Sequence, residues 1–189
     1  MPFDHFNLIA GLYDRVGQFR VSEPLLGLLA LTPNSLLLDA GGGTGRVAAA
    51  LRRMVREVFV ADLSHGMLRR AAGKGLSTVC TPVESLPFPS GSLDRIIMMD
   101  ALHHVLDQRQ TASELWRVLA PCGRIVIIEP DIRKFIVKLL AIGEKALLMR
   151  SNFLAVGDIG SLFTDPNGKI SVNYNDFNVF FVVEKVKRL

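Results

Sequence analysis

The stretch 36–46, which reads LLLDAGGGTGR, restricts the fold of this chain more than any other part of the sequence. Its first three residues form a continuous apolar run, which is typical of a parallel strand buried on both faces. The glycines that follow lack a Cβ atom, so the backbone there can bend sharply and approach a ligand closely. Residues 47–54 continue with a helical pattern. The stretch therefore predicts a strand, a ligand-binding loop and a helix, and a plain glycine-rich turn is the weaker interpretation.

Asp39 stands between the apolar run and the glycines. A carboxylate is costly inside a core unless it is paired, so we expect Asp39 to meet a cationic or hydrogen-bonding ligand where the strand opens to the surface. A second acid, Asp62, follows the next apolar run, where nucleoside-binding α/β folds place a carboxylate against ribose hydroxyls. Gly43, Gly45 and Ala48 also satisfy the dinucleotide pattern G-x-G-x-x-G/A. Because Asp39 would repel a pyrophosphate and attract an ammonium group, a dinucleotide is the weaker alternative.

Strand and helix patterns alternate along the chain around this loop. Two helices precede the first strand, a helix through 67–74 is predicted with Ser64 as its N-cap, and another helix is predicted through 114–119. The predicted strands after the first are 57–61, 76–80, 93–99 and 124–129, followed by an antiparallel hairpin of 168–175 and 178–186. The pattern predicts an α/β fold with one doubly wound, Rossmann-like sheet that is mostly parallel and that the C-terminal hairpin closes.

The composition fits one globular domain, because 189 residues with 49% apolar and 21% charged side chains bury a sizeable core. The net charge of +4 is scattered and only 7% of residues are aromatic, so no nucleic-acid partner is expected. Cys80 and Cys122 have neither metal-ligand nor disulfide-scaffold spacing, which makes a reducing, cytoplasmic setting the expectation. The N-terminal residues lack the features of a signal peptide, and charges interrupt the apolar segment 135–149, so neither export nor a membrane-spanning helix is expected.

Four segments then resemble, in order, the motifs of class I S-adenosylmethionine-dependent methyltransferases. They are LLLDAGGGTGR, VADLSHGML, ESLPFPSGSLDRIIMMDALHHV and ELWRVLAPCGRIVIIEP. The branch they resemble is the small-molecule one (methyltransferase type 11) that includes the ubiquinone and menaquinone C-methyltransferases. The resemblance covers residues 5–130 and implies seven strands in one domain over 1–189. This domain would comprise a helical lid at 1–33, a cofactor-binding core at 34–130, and a helix and closing hairpin at 131–189.

The resemblance also implies the cofactor, with S-adenosylmethionine as methyl donor, S-adenosylhomocysteine as product and no metal. Asp39 would face the methionine amino group through the loop and ordered water, and Asp100 and Leu102 would line the methionine arm. Tyr13 would belong to the lid over the cofactor. The loop glycines that would let the backbone pass against the donor are Gly41, Gly42 and Gly43.

On the adenosine side, the resemblance assigns the ribose hydroxyls to Asp62 and the faces of adenine to Leu63 and Met67. The backbone amide of Val83 would reach a ring nitrogen. The family usually carries an acid after the third strand that accepts from the adenine amine, and here that place is Pro82. Either Glu84 substitutes for that acid or adenine is held less tightly. This departure keeps open a regulatory protein that binds the cofactor without turnover.

Methyl transfer from a sulfonium is an in-line displacement, so alignment and exclusion of water matter more than acid or base groups. An acceptor phenol or ring carbon would still gain from a base that removes its proton. His103 and His104 follow the fourth strand, and we favour His103 because it matches a position where the quinone-type enzymes place a polar side chain toward the substrate. The alternative is that both histidines cap the turn or pack beneath the helix.

Cys122 replaces the first glycine of the family's usual Pro-Gly-Gly turn, which is expected to alter only a surface bend. A Pro-Cys nucleophile is disfavoured, because this pair lies before the fifth strand and away from the methyl donor. The segment 134–147 has a wide apolar face, expected mainly to be core, although a pocket for a lipophilic acceptor, a homodimer contact or a membrane surface stay open. The sequence thus predicts methyl transfer to oxygen or carbon of a small hydrophobic, quinol- or phenol-like acceptor, with a nicotinamide-dependent oxidoreductase as the alternative enzyme.

Overall fold

The computed structural model describes residues 19–131, 152–154, 156–175 and 178–186. Tyr13, with most of the predicted lid, and the apolar segment 135–149 lie outside the described residues. The strands are β1 (Leu36–Ala40), β2 (Glu57–Asp62), β3 (Ser77–Cys80), β4 (Leu93–Met99), β5 (Leu119–Pro130), β6 (Gly168–Tyr174) and β7 (Asn178–Lys185). The α-helices are α1 (Glu23–Leu29), α2 (Arg46–Leu51), α3 (His65–Gly73), α4 (Gln108–Val118) and α5 (Val156–Gly160). Short 3-10 turns cover Arg52–Met54 and Leu102–His104.

The strands form one seven-stranded sheet in the order β3-β2-β1-β4-β5-β7-β6. The neighbouring pairs from β3 to β5 are all parallel, while β7 runs antiparallel to both β5 and β6. The predicted α/β class, the mostly parallel sheet and the closing antiparallel hairpin are therefore confirmed. The hairpin inserts β7 between β5 and β6, so β6 is the outer edge on that side.

Both faces of the sheet are covered, because successive side chains of a strand point to opposite sides. In β1, Leu37 packs with Leu25 and Leu29 of α1, while Leu38 packs with Leu115 of α4 on the other face. All five leucines are at most 2% exposed. This double burial explains why β1 reads as a continuous apolar run rather than as an alternation.

Local sequence signals set the ends of the helices near the sheet edge. Ser64 caps α3 by accepting from the Met67 amide, as predicted, and Asp107 caps α4 by accepting from Gln110. The predicted helix at 47–54 is an α-helix only to Leu51 and then tightens into a 3-10 turn. Among the helices that the structure describes, none is long and apolar enough to cross a membrane.

The fifth strand begins earlier than predicted. Its pairing with β4 shifts register after Leu93, which pairs with Leu119, whereas Arg95 already pairs with Arg124. The extra residues form a bulge in which Cys122 is exposed and takes a left-handed φ of 62°. The segment expected as a turn is thus an irregular start of the strand.

Candidate functional site

The site lies where the strand order reverses. From β1 the chain builds outward to β2 and β3, and after β4 it builds in the opposite direction. Loops that follow β1 and β4 therefore diverge and open a crevice at the carboxyl edge of the sheet. The two loops still touch at their base, because a Cβ atom on Gly41 would come within 2.7 Å of the Ala101 Cβ. The predicted residues of both loops are thus brought to one edge.

The loop after β1 uses its glycines for two different reasons. Gly41, Gly43 and Gly45 have φ of 68°, 55° and 71°, a left-handed backbone conformation that residues with a Cβ atom rarely adopt. Gly42 is needed for space, because a Cβ atom there would lie 2.6 Å from the Asp39 carboxyl carbon. The loop therefore folds tightly over Asp39, and these positions favour glycine.

Asp39 is buried beneath this loop and is 1% exposed. Its Oδ2 accepts a hydrogen bond of 3.1 Å from the amide of Ala48, in the first turn of α2. The pKa of Asp39 is raised to about 7, mainly because burial disfavours the charged form of the carboxyl group. The hydrogen bond from the Ala48 amide lowers this pKa, and the nearby charge of Asp62 raises it. The helix amide that could receive a pyrophosphate is consequently already bound to a carboxylate, which disfavours a dinucleotide here.

Asp62 ends β2 on the other side of the glycine loop. Its Oδ2 accepts from the Gly43 amide at 2.9 Å and its Oδ1 accepts from the Ser64 amide at 2.8 Å. These two backbone amides orient the carboxylate at the carboxyl edge of the sheet. A half-buried carboxylate held in this way fits the two hydroxyls of a ribose.

The adenosine-side residues have different surroundings. Met67 is buried and its Sδ would lie 3.8 Å from a Cβ atom on Gly43, so it flanks the loop together with Asp62. Leu63 is 65% exposed, and Val83 is buried in the core. Met67 and Asp62 are therefore brought together at Gly43, while Leu63 offers an uncovered apolar surface beside them.

Glu84 is held by the start of α4. Its Oε1 accepts from the amide of Leu106 at 2.8 Å and from that of Asp107 at 3.3 Å. One carboxylate oxygen thus fixes the turn before the helix, a contact that no sequence motif predicts. A contact of Glu84 with adenine stays a prediction.

The loop after β4 supplies Asp100 and Leu102. Asp100 is exposed, has a left-handed φ of 50°, and its amide donates to the Ile128 carbonyl at 2.9 Å. Aspartate tolerates this conformation better than most residues. The Leu102 side chain is 1% exposed and packs in the core, so a contact with the methionine arm stays a prediction.

His103 is paired with an acid that the sequence did not single out. The ring is 3% exposed, and its Nδ1 lies 2.5 Å from the Oε2 of Glu129, which is 5% exposed. The Oε1 of Glu129 accepts from the amides of Ala101 at 3.1 Å and Leu102 at 2.9 Å. One carboxylate at the end of β5 therefore binds three consecutive residues of the loop after β4.

Two aromatic rings lie against His103. Phe153 stacks on the ring with centroids 4.2 Å apart and planes at 14°, and the His104 ring lies 4.0 Å away at 50°. The Asn152 amide donates to the His103 carbonyl at 2.7 Å. The segment 152–154 thus belongs to the site although it is distant in sequence.

Within the described ranges, no cluster of three or more His, Cys, Asp or Glu side chains is arranged to hold a metal ion. Cys122 lies near the amino end of β5, at the opposite edge of the sheet from the glycine loop. The arrangement offers two carboxylates beside a glycine loop, an apolar flank and a buried histidine. This donor set suits a nucleoside that carries an ammonium group.

Comparisons with known proteins agree with this geometry. A family model described as a methyltransferase domain matches residues 38–127. A ubiquinone/menaquinone biosynthesis C-methyltransferase from Bordetella parapertussis is 31% identical over 140 residues, covering 66% of this chain and 54% of that relative. A demethylmenaquinone methyltransferase from Clavibacter sepedonicus is 38% identical over 120 residues, covering 61% of this chain and 46% of that relative. The chain spans about half the length of these curated relatives.

Solved structures share the fold over almost the whole chain. One is a putative methyltransferase from Haloferax volcanii in complex with a methyltransferase activator, with a TM-score of 0.81, 17% identity, and 99% of this chain and 100% of that chain covered. Another is a putative S-adenosylmethionine-dependent methyltransferase from Methanococcus maripaludis, with a TM-score of 0.77, 15% identity, and 100% and 98% covered. At such identities the similarity establishes the fold alone.

Proposed function

We propose that the chain is a class I S-adenosylmethionine-dependent methyltransferase, in line with the methyltransferase-domain match over residues 38–127, and that it transfers a methyl group to a small acceptor. The proposed acceptor is hydrophobic and of the quinol or phenol class, and the methyl group goes to oxygen or carbon. The observation that carries the proposal is the pair Asp39 and Asp62 on either side of the glycine loop. Two carboxylates there favour an amino-acid-bearing nucleoside over a dinucleotide.

The residues present fit this donor. Asp39 attracts its ammonium group, the backbone at 41–43 passes along it, and Asp62 accepts from the ribose hydroxyls. Leu63 and Met67 cover adenine, with Val83 and Glu84 at its edge, and Asp100 and Leu102 border the methionine arm. The role proposed for Tyr13, which lies outside the described residues, is that of a lid residue over the donor. When bound, S-adenosylmethionine supplies a methyl group on a sulfonium, which is electrophilic without help from a metal.

The acceptor class rests on the relatives and on the site. The relatives named above are a ubiquinone/menaquinone biosynthesis C-methyltransferase and a demethylmenaquinone methyltransferase. A quinol or phenol loses a proton when its oxygen or ring carbon is methylated, so a base beside the methyl group assists the reaction. We assign that role to His103, which belongs to the short turn after β4.

A thermal-shift experiment tests the donor. S-adenosylhomocysteine should raise the melting temperature and NAD should not, because only a ligand that binds the native state stabilises it. The Asp62→Asn variant, which keeps the shape of the side chain, should show a clearly smaller shift. Stabilisation by NAD alone would support the oxidoreductase alternative instead.

An acceptor screen tests turnover. Incubation with S-adenosylmethionine and a panel of quinols and phenols should give a product 14 mass units heavier (about one CH₂ group) together with S-adenosylhomocysteine. Donor binding without turnover on any acceptor would favour the regulatory alternative.

The partner and the setting of the chain are also part of the proposal. We expect one domain over 1–189 in the cytoplasm, in line with the free, exposed Cys80 and Cys122. A homodimer and contact with a membrane surface stay predictions. The Haloferax neighbour was solved with a methyltransferase activator, so an accessory protein is a further partner to test in pull-down experiments.

A further inference from the structure

We propose that Glu129 is a positioning residue that holds His103 in one tautomer, with the proton on Nδ1 and the lone pair on Nε2. The inference rests on the proposed function, because it states how the histidine would be made ready to accept a proton. It assigns a role to a residue that has no place in the donor site. The carboxylate lies at the end of β5, and its three hydrogen bonds all go to the loop after β4.

The hydrogen bonds of Glu129 define the direction of the proton. Two backbone amides donate to Oε1, so that oxygen acts as an acceptor twice. A carboxylate only accepts hydrogen bonds, and the two amide donors match that role. Oε2 then accepts as well, and its partner among the described residues is His103 Nδ1 at 2.5 Å, so the proton lies on Nδ1. In the neutral ring, Nε2 is consequently the nitrogen that carries the lone pair.

The surroundings allow the ring little freedom. Phe153 stacks nearly parallel on His103, and the Asn152 amide fixes the His103 carbonyl. The side chain of Gln108 donates to the carbonyls of Leu102 at 3.1 Å and Asn152 at 2.7 Å, which ties the two segments together. Three contacts therefore restrain His103: Asn152 at its backbone carbonyl, Phe153 on the face of the ring and Glu129 at Nδ1. Preorganised catalytic groups require such restraint.

The proposed step balances in atoms and charge. An electron pair on the acceptor oxygen or carbon forms the bond to the methyl carbon, and the carbon–sulfur bond breaks with its electron pair going to sulfur. The proton of the acceptor passes to His103 Nε2. The imidazolium that forms is stabilised by the ionised Glu129 on Nδ1, and Glu129 itself keeps its charge.

A competing explanation is that Glu129 only fastens the ends of β4 and β5 to each other. A buried carboxylate with three partners would be costly to disrupt in that case too. The two explanations differ in what happens when the group keeps its shape and loses its charge. Glu129→Gln can still accept from the amides of Ala101 and Leu102, but its NH₂ group would face Nδ1 and donate to it. The variant should therefore move the ring proton to Nε2.

The experiment combines ¹⁵N NMR of the histidine side chains with steady-state kinetics. In the wild-type protein, the His103 signals, assigned by comparison with His103→Gln, should show a protonated Nδ1 and an unprotonated Nε2 at a pH where the ring is neutral. In Glu129→Gln they should show the opposite tautomer. The kcat for the acceptor should fall about 100-fold, within the range for loss of a general base. The dissociation constant of S-adenosylhomocysteine should change by less than about two-fold.

Glu114→Gln is the matched control. Glu114 also accepts from a backbone amide, that of Leu86 at 2.9 Å, and from Arg117, and it lies on α4 away from the crevice. This variant should keep the wild-type kcat and the wild-type tautomer of His103. An equal loss of kcat in both variants would overturn the proposal in favour of a structural role for Glu129.

The outcomes also separate this proposal from the proposed function. If the wild-type ring carries its proton on Nε2, the positioning role fails even if methyl transfer is found, and this measurement needs no variant to fold. If the tautomers behave as expected but no acceptor is methylated, the proposed function fails and the positioning stands. If His103→Gln keeps full turnover, the base role fails while donor binding is unaffected.

Discussion

The buried carboxylate of Asp39 links donor binding to pH at the scale of one residue. Its pKa of about 7 means that it changes from mostly protonated to mostly ionised between pH 6 and pH 8. An ammonium group binds the ionised form better, so the affinity for S-adenosylhomocysteine should rise about ten-fold over this range. Isothermal titration calorimetry at pH 6, 7 and 8 measures it. The Asp39→Asn variant should bind more weakly with little pH dependence, and a wild-type affinity that is flat over this range would contradict the prediction.

The same group should make the unliganded protein less stable as pH rises. The folded pKa of about 7 lies above the ordinary value of 3.8, so the folded state binds the proton more tightly than the unfolded state. The contribution of Asp39 to the free energy of unfolding is therefore greatest below pH 3.8, its pKa in the unfolded state. This contribution is lost as the pH rises through about 7, its pKa in the folded state. The loss by pH 8 is on the order of 4 kcal/mol.

Urea unfolding at pH 5 and pH 8 tests this linkage. The Asp39→Asn variant keeps an acceptor for the Ala48 amide, so it should lose most of the difference between the two pH values and be the more stable protein at pH 8. An unchanged pH dependence in the variant would assign the effect to other groups.

Cys122 has a backbone conformation that favours glycine. Its φ of 62° is costly for a residue with a Cβ atom, while a glycine loses more entropy on folding. The Cys122→Gly variant should therefore gain about 0.5 to 1 kcal/mol in the free energy of unfolding. Cys122→Ser removes the thiol and keeps the Cβ, so it should leave that free energy unchanged. A lower stability of the glycine variant would show that the thiol makes a contact worth more than the backbone strain.

The sequence was most informative where function and backbone shape coincide. The glycines after β1 and the acids Asp39 and Asp62 lie next to each other in the chain or at matching strand ends, so their meeting could be predicted. Glu129 could not be paired with His103, because 26 residues separate them and only the parallel pairing of β4 and β5 brings their ends together. The sequence feature that could have pointed to Glu129 is its position as an acid at the carboxyl end of a buried strand.

At the scale of elements, Glu84 connects the loop after β3 to the start of α4. Removing its carboxylate in Glu84→Ala would leave the amides of Leu106 and Asp107 without this acceptor, so unfolding should be easier by about 1 kcal/mol. Glu84→Gln keeps an acceptor oxygen and should be close to wild type in stability. A large loss of affinity for S-adenosylhomocysteine with unchanged stability would instead identify Glu84 as the adenine acceptor.

The bounds of the elements were predictable where hydrophobic pattern and capping agree. Ser64 precedes α3 and caps it, and the run at 93–99 is strand β4 from end to end. The early start of β5 was not predictable, because Pro121 and Gly123 read as a turn and the bulge depends on pairing with β4. The strand itself was predicted correctly, but its first residue was wrong because the register shift between β4 and β5 adds residues at its start.

At the scale of the whole molecule, alternating strands and helices were sufficient to predict the class of fold, since right-handed crossovers leave few arrangements for a parallel sheet. The place of the donor site follows from that arrangement, because the strand order reverses between β1 and β4. The acceptor does not follow from it. Acceptor specificity depends on side chains from separate segments, such as Phe153 on the ring of His103, and no short motif encodes such a meeting.

The reversal of strand order predicts where ligand binding should protect the backbone. S-adenosylhomocysteine should slow hydrogen exchange in the loops 41–45, 62–67 and 100–104, which meet at the carboxyl edge. β6 is the outermost strand of the sheet and lies away from these loops. Hydrogen exchange in β6 should therefore slow only if its amides exchange through global unfolding, which ligand binding makes rarer. Exchange followed by mass spectrometry measures this, with Asp62→Asn as the variant in which the protection should be weaker. The prediction would be contradicted if NAD, rather than S-adenosylhomocysteine, protected the backbone and did so only in the first turn of α2. That result would mean that a pyrophosphate displaces Asp39 from the Ala48 amide.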